Sequence, residues 1–535
     1  MTEDFPVTWE DPSDPDLSWE WDDMHMPGIL SPLAGDYGRI ISDGISYRLE
    51  RFGVPMRVQC RVINGYLFMA EQPLVPESEL PRVREQTQES RRTQARVVRS
   101  YWDQKVLPAL LESYEAMRGA PVESAALPAL ATLWEEQWDR WKWLWGMHFM
   151  TNAGSYQAMN ELADLYDSVV ENAHPGEALS LVQGVPNDLQ RTQRDLFLLV
   201  EKARTLPAVV DLISRDPAAA MDALLQVQGG EEFVAALRAF LDAHGHLGQP
   251  FDDLAIPSWG DNPALLLAEV RKRLTDRGED PEILRLRQRV RAESLVEQMR
   301  ERLRDRPEVL QRFEDALALA LDVGPLTEGH NYWLDRMLQA HAHRFAVRMG
   351  RRLVDAGVLA APAHIFFLHY DEIPEALRNP RNLRALIAQR RAEHQRWAQI
   401  RPPRYLGRPP QTPQPNRFEP PPIEQVEGMG LLRGIGASPG IVRGRARIAL
   451  SPDDFERVGA GDILVCPSSN PSWVPLFGII GGLITNTGGA LSHAAVVARE
   501  FGVPAVVGTG EATQRLRDGQ LVEVDGTAGE VRMLG

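Results

Sequence analysis

Cysteine is nearly absent: Cys60 and Cys466 are the two in 535 residues, set far apart in apolar, strand-like runs. That excludes a disulfide framework and a cysteine-based zinc cluster, and both thiols are expected to be buried. Lysine is scarce as well. Of 58 basic residues only Lys105, Lys142, Lys202 and Lys272 are not arginine; none follows a glycine-rich loop, and no phosphate-cradling G-x-x-x-x-G-K-[ST] occurs. No stretch approaches the roughly eighteen apolar residues of a membrane helix, and the acidic opening MTEDFPVTWEDP is unlike a signal peptide. A cytoplasmic chain without a membrane partner is expected. The net charge of −16 shows no segregation of basic residues, which argues against a nucleic-acid partner.

What is present divides the chain. RPPRYLGRPPQTPQPNRFEPPPIEQ, from Arg401, is too rich in proline for helix or central strand and reads as an extended linker over 401–426. Residues 1–18 read as an N-terminal tail. Residues 19–400 carry apolar residues at helical spacing, preceded by one hairpin around Asn64-Gly65, a dipeptide that favours the type I′ turn. Residues 427–535 show short apolar runs between glycine turns, an α/β pattern. The expected fold is multidomain: a mostly α-helical domain with a small N-terminal β-hairpin, then a C-terminal α/β domain.

The richest local chemistry surrounds His493. Leu483–Thr487 reads as a strand, Gly488-Gly489 as a sharp turn, Ser492 as an N-cap and AAVVARE as a helix ending before Gly502 and Pro504. His493 therefore falls in the first helical turn, where free backbone N–H groups and the positive end of the helix dipole favour an anion and disfavour imidazolium. A neutral, nucleophilic ring that receives a phosphoryl group fits that setting, with Thr485, Thr487, Gly488, Gly489 and Ser492 as phosphate-binding candidates. A packing or capping histidine is the alternative.

TNTGGALSHAAVVAREFGVPAVVG closely resembles the phosphohistidine signature of the phosphoenolpyruvate-utilising enzymes, which include phosphoenolpyruvate synthase, pyruvate phosphate dikinase and rifampin phosphotransferase. GIGASPGIVRGRARI, residues 434–448, resembles the first strands of the same swivelling domain. The resemblance implies that His493 is transiently phosphorylated and that 427–535 is the carrier.

Upstream, WEWDDMHMPGILSPLAG (19–35), HGHLGQPFDDLAIPSWGDNP (244–263), PLTEGHNYWLDR (325–336) and AHIFFLHYDEI (363–373) resemble, in order, strings of the rifampin phosphotransferase substrate domain. The helical domain is thereby implied to bind the acceptor. Leu247 stands where relatives commonly have arginine, which suggests a less anionic acceptor. Trp134, Trp138, Trp141, Trp145 and His148 form one helical stripe, read mainly as core, with one or two rings free to line an aromatic pocket. Trp141, His148 and His246 are the substrate-binding candidates. His330 is the candidate general base, with Glu328 to orient it. No metal site is expected, since the H-G-H at 244–246 lacks a neighbouring ligand spacing.

Neither an ATP-grasp domain nor a pyruvate-binding barrel is recognised. The resemblance then implies a carrier and acceptor subunit of a split dikinase-type phosphotransferase, similar to phenylphosphate synthase. Such a subunit binds no cofactor alone; ATP and Mg2+ sit on a separate ATP-grasp subunit, and a small aromatic hydroxyl compound is the acceptor. The alternatives are part of a rifamycin-type antibiotic phosphotransferase, or a non-catalytic binding protein that retains the carrier fold.

Overall fold

A computed structural model of the chain describes residues 5–534 except 24, 172, 175, 249–252, 276–278, 410–429, 451, 470–472 and 491. It forms two compact units. One comprises Met1–Gly154, Gln249–Asp261 and His330–Thr412, the other Ser155–Gly248, Asn262–Gly329 and Pro413–Gly535. Among the described residues no helix is long and apolar enough to cross a membrane.

In the first unit the expected hairpin is present as β2 (Met56–Ile63) and β3 (Tyr66–Pro73). Asn64 and Gly65 in the turn between them both have positive φ, the left-handed pair a type I′ turn requires. The hairpin is not isolated. β1 (Ser18–Trp21) and β4 (Tyr405–Gly407) complete a four-stranded sheet of order β2-β3-β1-β4.

Two boundaries change as a result. Of the expected tail 1–18, the described part is fixed: Phe5 is buried against Tyr66 and Phe68, and buried Asp14 accepts hydrogen bonds of 2.9 Å from both Nε and Nη2 of Arg61. The segment expected to be linker from Arg401 begins as sheet, because Tyr405–Gly407 pairs antiparallel with Ser18–Glu20. A strand edge beside β1 had open backbone groups, and three residues between prolines suffice to pair with it. Residues 410–426 of that segment lie outside the described residues.

The 43-residue helix Leu127–Val169 contributes its portion up to Gly154 to this unit. Its tryptophan stripe is core: Trp134, Trp138, Trp141 and Trp145 are all buried, with Trp134 meeting Trp141 edge-on at 5.8 Å. The helix Met337–Asp355 buries Leu338, Phe345, Met349 and Leu353 at helical spacing.

The second unit contains a helical layer and the C-terminal sheet. Pro263, Pro281 and Pro307 each occupy the first position of a helix, where a missing N–H costs nothing. The sheet has eight strands: β5 (Leu431–Arg433), β6 (Ile435–Ser438), β7 (Ile441–Ile448), β8 (Ile463–Cys466), β9 (Gly482–Thr485), β10 (Ala505–Val507), β11 (Leu521–Asp525) and β12 (Glu530–Met533). Their order is β5-β12-β11-β7-β8-β9-β10-β6, with β7 through β10 parallel and the flanking strands antiparallel. Both faces are buried: Leu464, Cys466, Leu483, Ala505 and Val507 enter one core, Ile463, Val465, Ile484 and Val506 the other. Cys60 and Cys466 are buried free thiols, and burial pushes both thiols well up.

Candidate active site

The helix His493–Phe501 is the crossover between parallel strands β9 and β10, so its N-terminus opens at the carboxyl end of β9. Ser492 is extended and its Oγ accepts from Ala495 N at 3.4 Å; Gly502 ends the helix in the left-handed conformation. Gly488, also at positive φ, lets the turn pass close to the cap, since a Cβ there would lie 2.8 Å from the Ser492 Oγ. Arg499, buried on the same helix, donates to the carbonyls of Ala437, at 2.8 Å, and Ala490, pinning the approach to His493. Burial lowers the Arg499 pKa to about 10, which leaves it a cation at neutral pH.

The His493 ring is 14% exposed, and its Nδ1 lies 3.2 Å from Oε2 of Glu328, whose carboxylate is itself buried. The distance suits an ion pair, while the approach is too oblique for a hydrogen bond; both ring nitrogens lack a hydrogen-bond partner among the described residues. The contact is therefore electrostatic. It leaves the ring lone pair uncommitted and sets a negative charge against whatever positive charge the ring acquires. Burial, reinforced by the Glu328 charge, keeps the nearby Tyr156 phenol protonated.

The hydroxyls expected to bind phosphate do other work. Thr485 is fully buried and donates to Thr487 O at 2.6 Å; Thr487 donates to Pro467 O at 3.1 Å. Both bonds shape the loop, and buried Thr485 must satisfy its hydroxyl locally. In this conformation those bonds commit the protons of both hydroxyls. Gly488, Gly489 and Ser492 remain at the helix mouth.

The structure sets the Glu328 carboxylate beside His493. The carboxylate grouped with His330 is Asp335. In the first unit His148 Nδ1 lies 2.6 Å from Asp335 Oδ1, the His148 and His330 rings are 4.7 Å apart, and Asn152 Nδ2 is 3.4 Å from His330 Nε2. Trp145 packs on His148 at 4.8 Å. Trp141 reaches this cluster only through Tyr37 (6.3 Å), which meets Trp145 at 5.9 Å, and Trp141 is 1% exposed. It packs in the core of the first unit. His246 belongs to the second unit, buried in the turn after the helix Gly230–His244. Its neighbour His244 is clamped by Asp195 (2.8 Å) and Thr192 (3.2 Å), so the H-G-H pair does not present two free imidazoles.

Comparison with known proteins matches residues 458–529 to the mobile domain of PEP-utilising enzymes. The chain carries a phosphoenolpyruvate-utilising mobile domain. Residues 148–328 match the fourth domain of rifampicin phosphotransferase. The chain is 31% identical to chondramide synthase of Chondromyces crocatus over 99% of its own length and 14% of that protein's. It is 30% identical to an uncharacterised phosphotransferase of Bacillus subtilis (70% of this chain, 45% of the relative) and 33% identical to a Streptomyces rifampicin phosphotransferase (64% and 39%). It thus spans less than half the length of each of these relatives. The mobile-domain match encloses His493, Glu500 and the loop from β9, and the second match runs from His148 to Glu328.

Asp335, Asn152 and Arg499 were not singled out in the sequence. Asp335 is the second-last residue of the string PLTEGHNYWLDR and Arg499 sits inside the string around His493, so both were within view; nothing adjacent marks Asn152.

Proposed function

We propose that the chain is the carrier and acceptor part of an ATP-dependent dikinase-type phosphotransferase, with His493 as the phosphoryl carrier and a small aromatic, phenolic hydroxyl compound as acceptor. The observation that carries the reading is the His493 ring at a capped helix N-terminus, its nitrogens without a hydrogen bond among the described residues and one of them held against the Glu328 carboxylate. The phosphoryl group comes from ATP and Mg2+ on a separate ATP-grasp subunit; overall, ATP, water and the acceptor give AMP, inorganic phosphate and the phosphorylated acceptor.

Charging uses the lone pair of Nε2, the nitrogen turned away from Glu328. An N–P bond forms as a P–O bond of the donor breaks, and the cationic phosphoimidazole is balanced by Glu328. Discharge reverses the polarity. The acceptor oxygen attacks phosphorus, the N–P pair returns to the ring, and the acceptor's proton passes to a base, for which His330 is the candidate. A rifamycin-type acceptor is the second reading, favoured by the match of residues 148–328.

Incubating the chain with the ATP-grasp partner and ATP labelled in the β-phosphate is expected to give one acid-labile, base-stable phosphate per chain. His493→Ala should carry none. Equal labelling of the substituted and natural chains ends the assignment of His493.

A further inference from the structure

His148, His330 and Asp335 lie nearly two hundred residues apart at the extremes, yet one donor atom from each falls within 4.8 Å of the others. All three are deeply buried, at 7%, 1% and 3% exposure. A carboxylate so far from water needs a cation, and among the described residues the ion-pair partner of Asp335 is the His148 ring. The backbone is shaped to make the cluster. On an ordinary α-helix of 3.6 residues per turn, positions 330 and 335 point roughly 140° apart. Here Asn331–Arg336 is a π-helical turn, an uncommon form favoured at functional sites, and its i→i+5 geometry stacks Asp335 over His330. His148 is supplied from the facing helix Leu127–Val169.

We propose that these three side chains bind a divalent first-row transition metal, with zinc as the reference ion. Two imidazoles and one carboxylate are the donor set of three-ligand sites that leave a position open. Bonds of about 2.0–2.1 Å set neighbouring ligand atoms roughly 3.3 Å apart, so a bound ion opens the 2.6 Å His148–Asp335 contact slightly and draws the widest pair inward, within the reach of side-chain rotation. Asn152 at His330 Nε2, and Trp145 and Phe149 against His148 at 4.8 and 4.6 Å, hold the rings in place.

A bound ion would take over from His330, then a ligand, the task of favouring the deprotonated form of the acceptor's hydroxyl, the nucleophile for phosphohistidine. This role rests on the phosphotransfer reading; the binding of the metal does not. The test uses the full chain, stripped with chelator and titrated with Zn2+ and with Co2+. The expected result is one ion per chain at micromolar concentration or tighter, with visible cobalt bands of a four- or five-coordinate site. His148→Ala, His330→Ala and Asp335→Asn should each weaken binding at least tenfold, with circular dichroism reporting their fold, while exposed His174→Ala leaves it unchanged. Lack of stoichiometric binding by the natural chain overturns the proposal whatever the variants do, as does undiminished binding by folded variants. Labelling of His493 by the partner is scored separately, so loss of the metal site and loss of the carrier reading are told apart.

Discussion

On the proposed reading, the contact of His493 with Glu328 selects which nitrogen is charged. With the carboxylate against Nδ1, phosphorylation at Nε2 would produce a cation whose partner is already in place. Glu328→Gln keeps the shape and removes the charge. The first-order rate of His493 labelling by the partner and ATP is expected to fall about ten- to a hundredfold, corresponding to roughly 1.4–2.7 kcal/mol of lost transition-state stabilisation; an unchanged rate would show that the contact is incidental. Gly488 is a different kind of residue-scale constraint. Gly488→Ala imposes a side chain at a positive φ and pushes a Cβ against the Ser492 Oγ, so about 1–3 kcal/mol of stability and the alignment of the cap should be lost together in urea unfolding and labelling assays.

At the scale of elements, the carrier helix is packed inside its unit by polar contacts as well as apolar ones. Gln288 Nε2 donates to the carbonyls of Arg499 at 2.6 Å and Glu500 at 3.2 Å, and the Glu500 carboxylate accepts from Gln190. Burial raises the Glu500 pKa to about 7, against an ordinary 4.5. A carboxyl that holds its proton more tightly when packed than when released stabilises the packed state fully below pH 4.5. That contribution is lost as the pH rises from about 4.5 to 7, and changes little above. The loss is on the order of 2 kcal/mol once partial exposure is allowed for. Urea midpoints measured from pH 5 to 8 should therefore decline for the natural chain through this group, and Glu500→Gln should flatten the decline. Identical slopes would remove Glu500 as its source.

The same scale separates what the sequence disclosed from what it could not. The hairpin turn at Asn64-Gly65, the cap at Ser492, the left-handed Gly502 and the tryptophan stripe each depend on residues within a turn or two of one another, and local pattern suffices to read them. The pairing of β4 with β1, the approach of Glu328 to His493 and that of His148 to Asp335 join residues far apart in the chain. No periodicity encodes those meetings. The π turn at Asn331–Arg336 was hidden for a related reason: helical spacing predicts which face is apolar, and a single inserted residue that rotates one side chain leaves that average intact. The bonds that Thr485 and Thr487 make within the loop were not legible, because composition near a helix mouth does not reveal which donors the loop itself consumes.

For the whole molecule, the phosphotransfer reading divides the reaction into two halves that meet only through phosphohistidine. Once charged and freed of nucleotide, the chain should complete the second half unaided, because the acceptor needs no further energy from ATP. Phosphorylated chain, separated from ATP and the partner, is expected to lose its acid-labile label within the turnover time on adding the right acceptor, and to keep it in buffer. The proposed acceptor class draws on the first unit, where Tyr37, Trp145 and Phe149 pack around the polar groups at His148 and His330. On that proposal an aromatic ring with one hydroxyl is preferred to a small carboxylate, which would bring a second charge beside Asp335. Discharge should therefore be fastest with phenols or with rifamycin-type hydroxyls, and the comparison between those two decides between the readings. His330→Gln, which keeps size and loses the ring nitrogen that serves as base or as metal ligand, should slow discharge about a hundredfold while leaving charging of His493 intact. Discharge by pyruvate alone, or charging and discharge slowed equally by His330→Gln, would break the assignment of the helical domain to the acceptor.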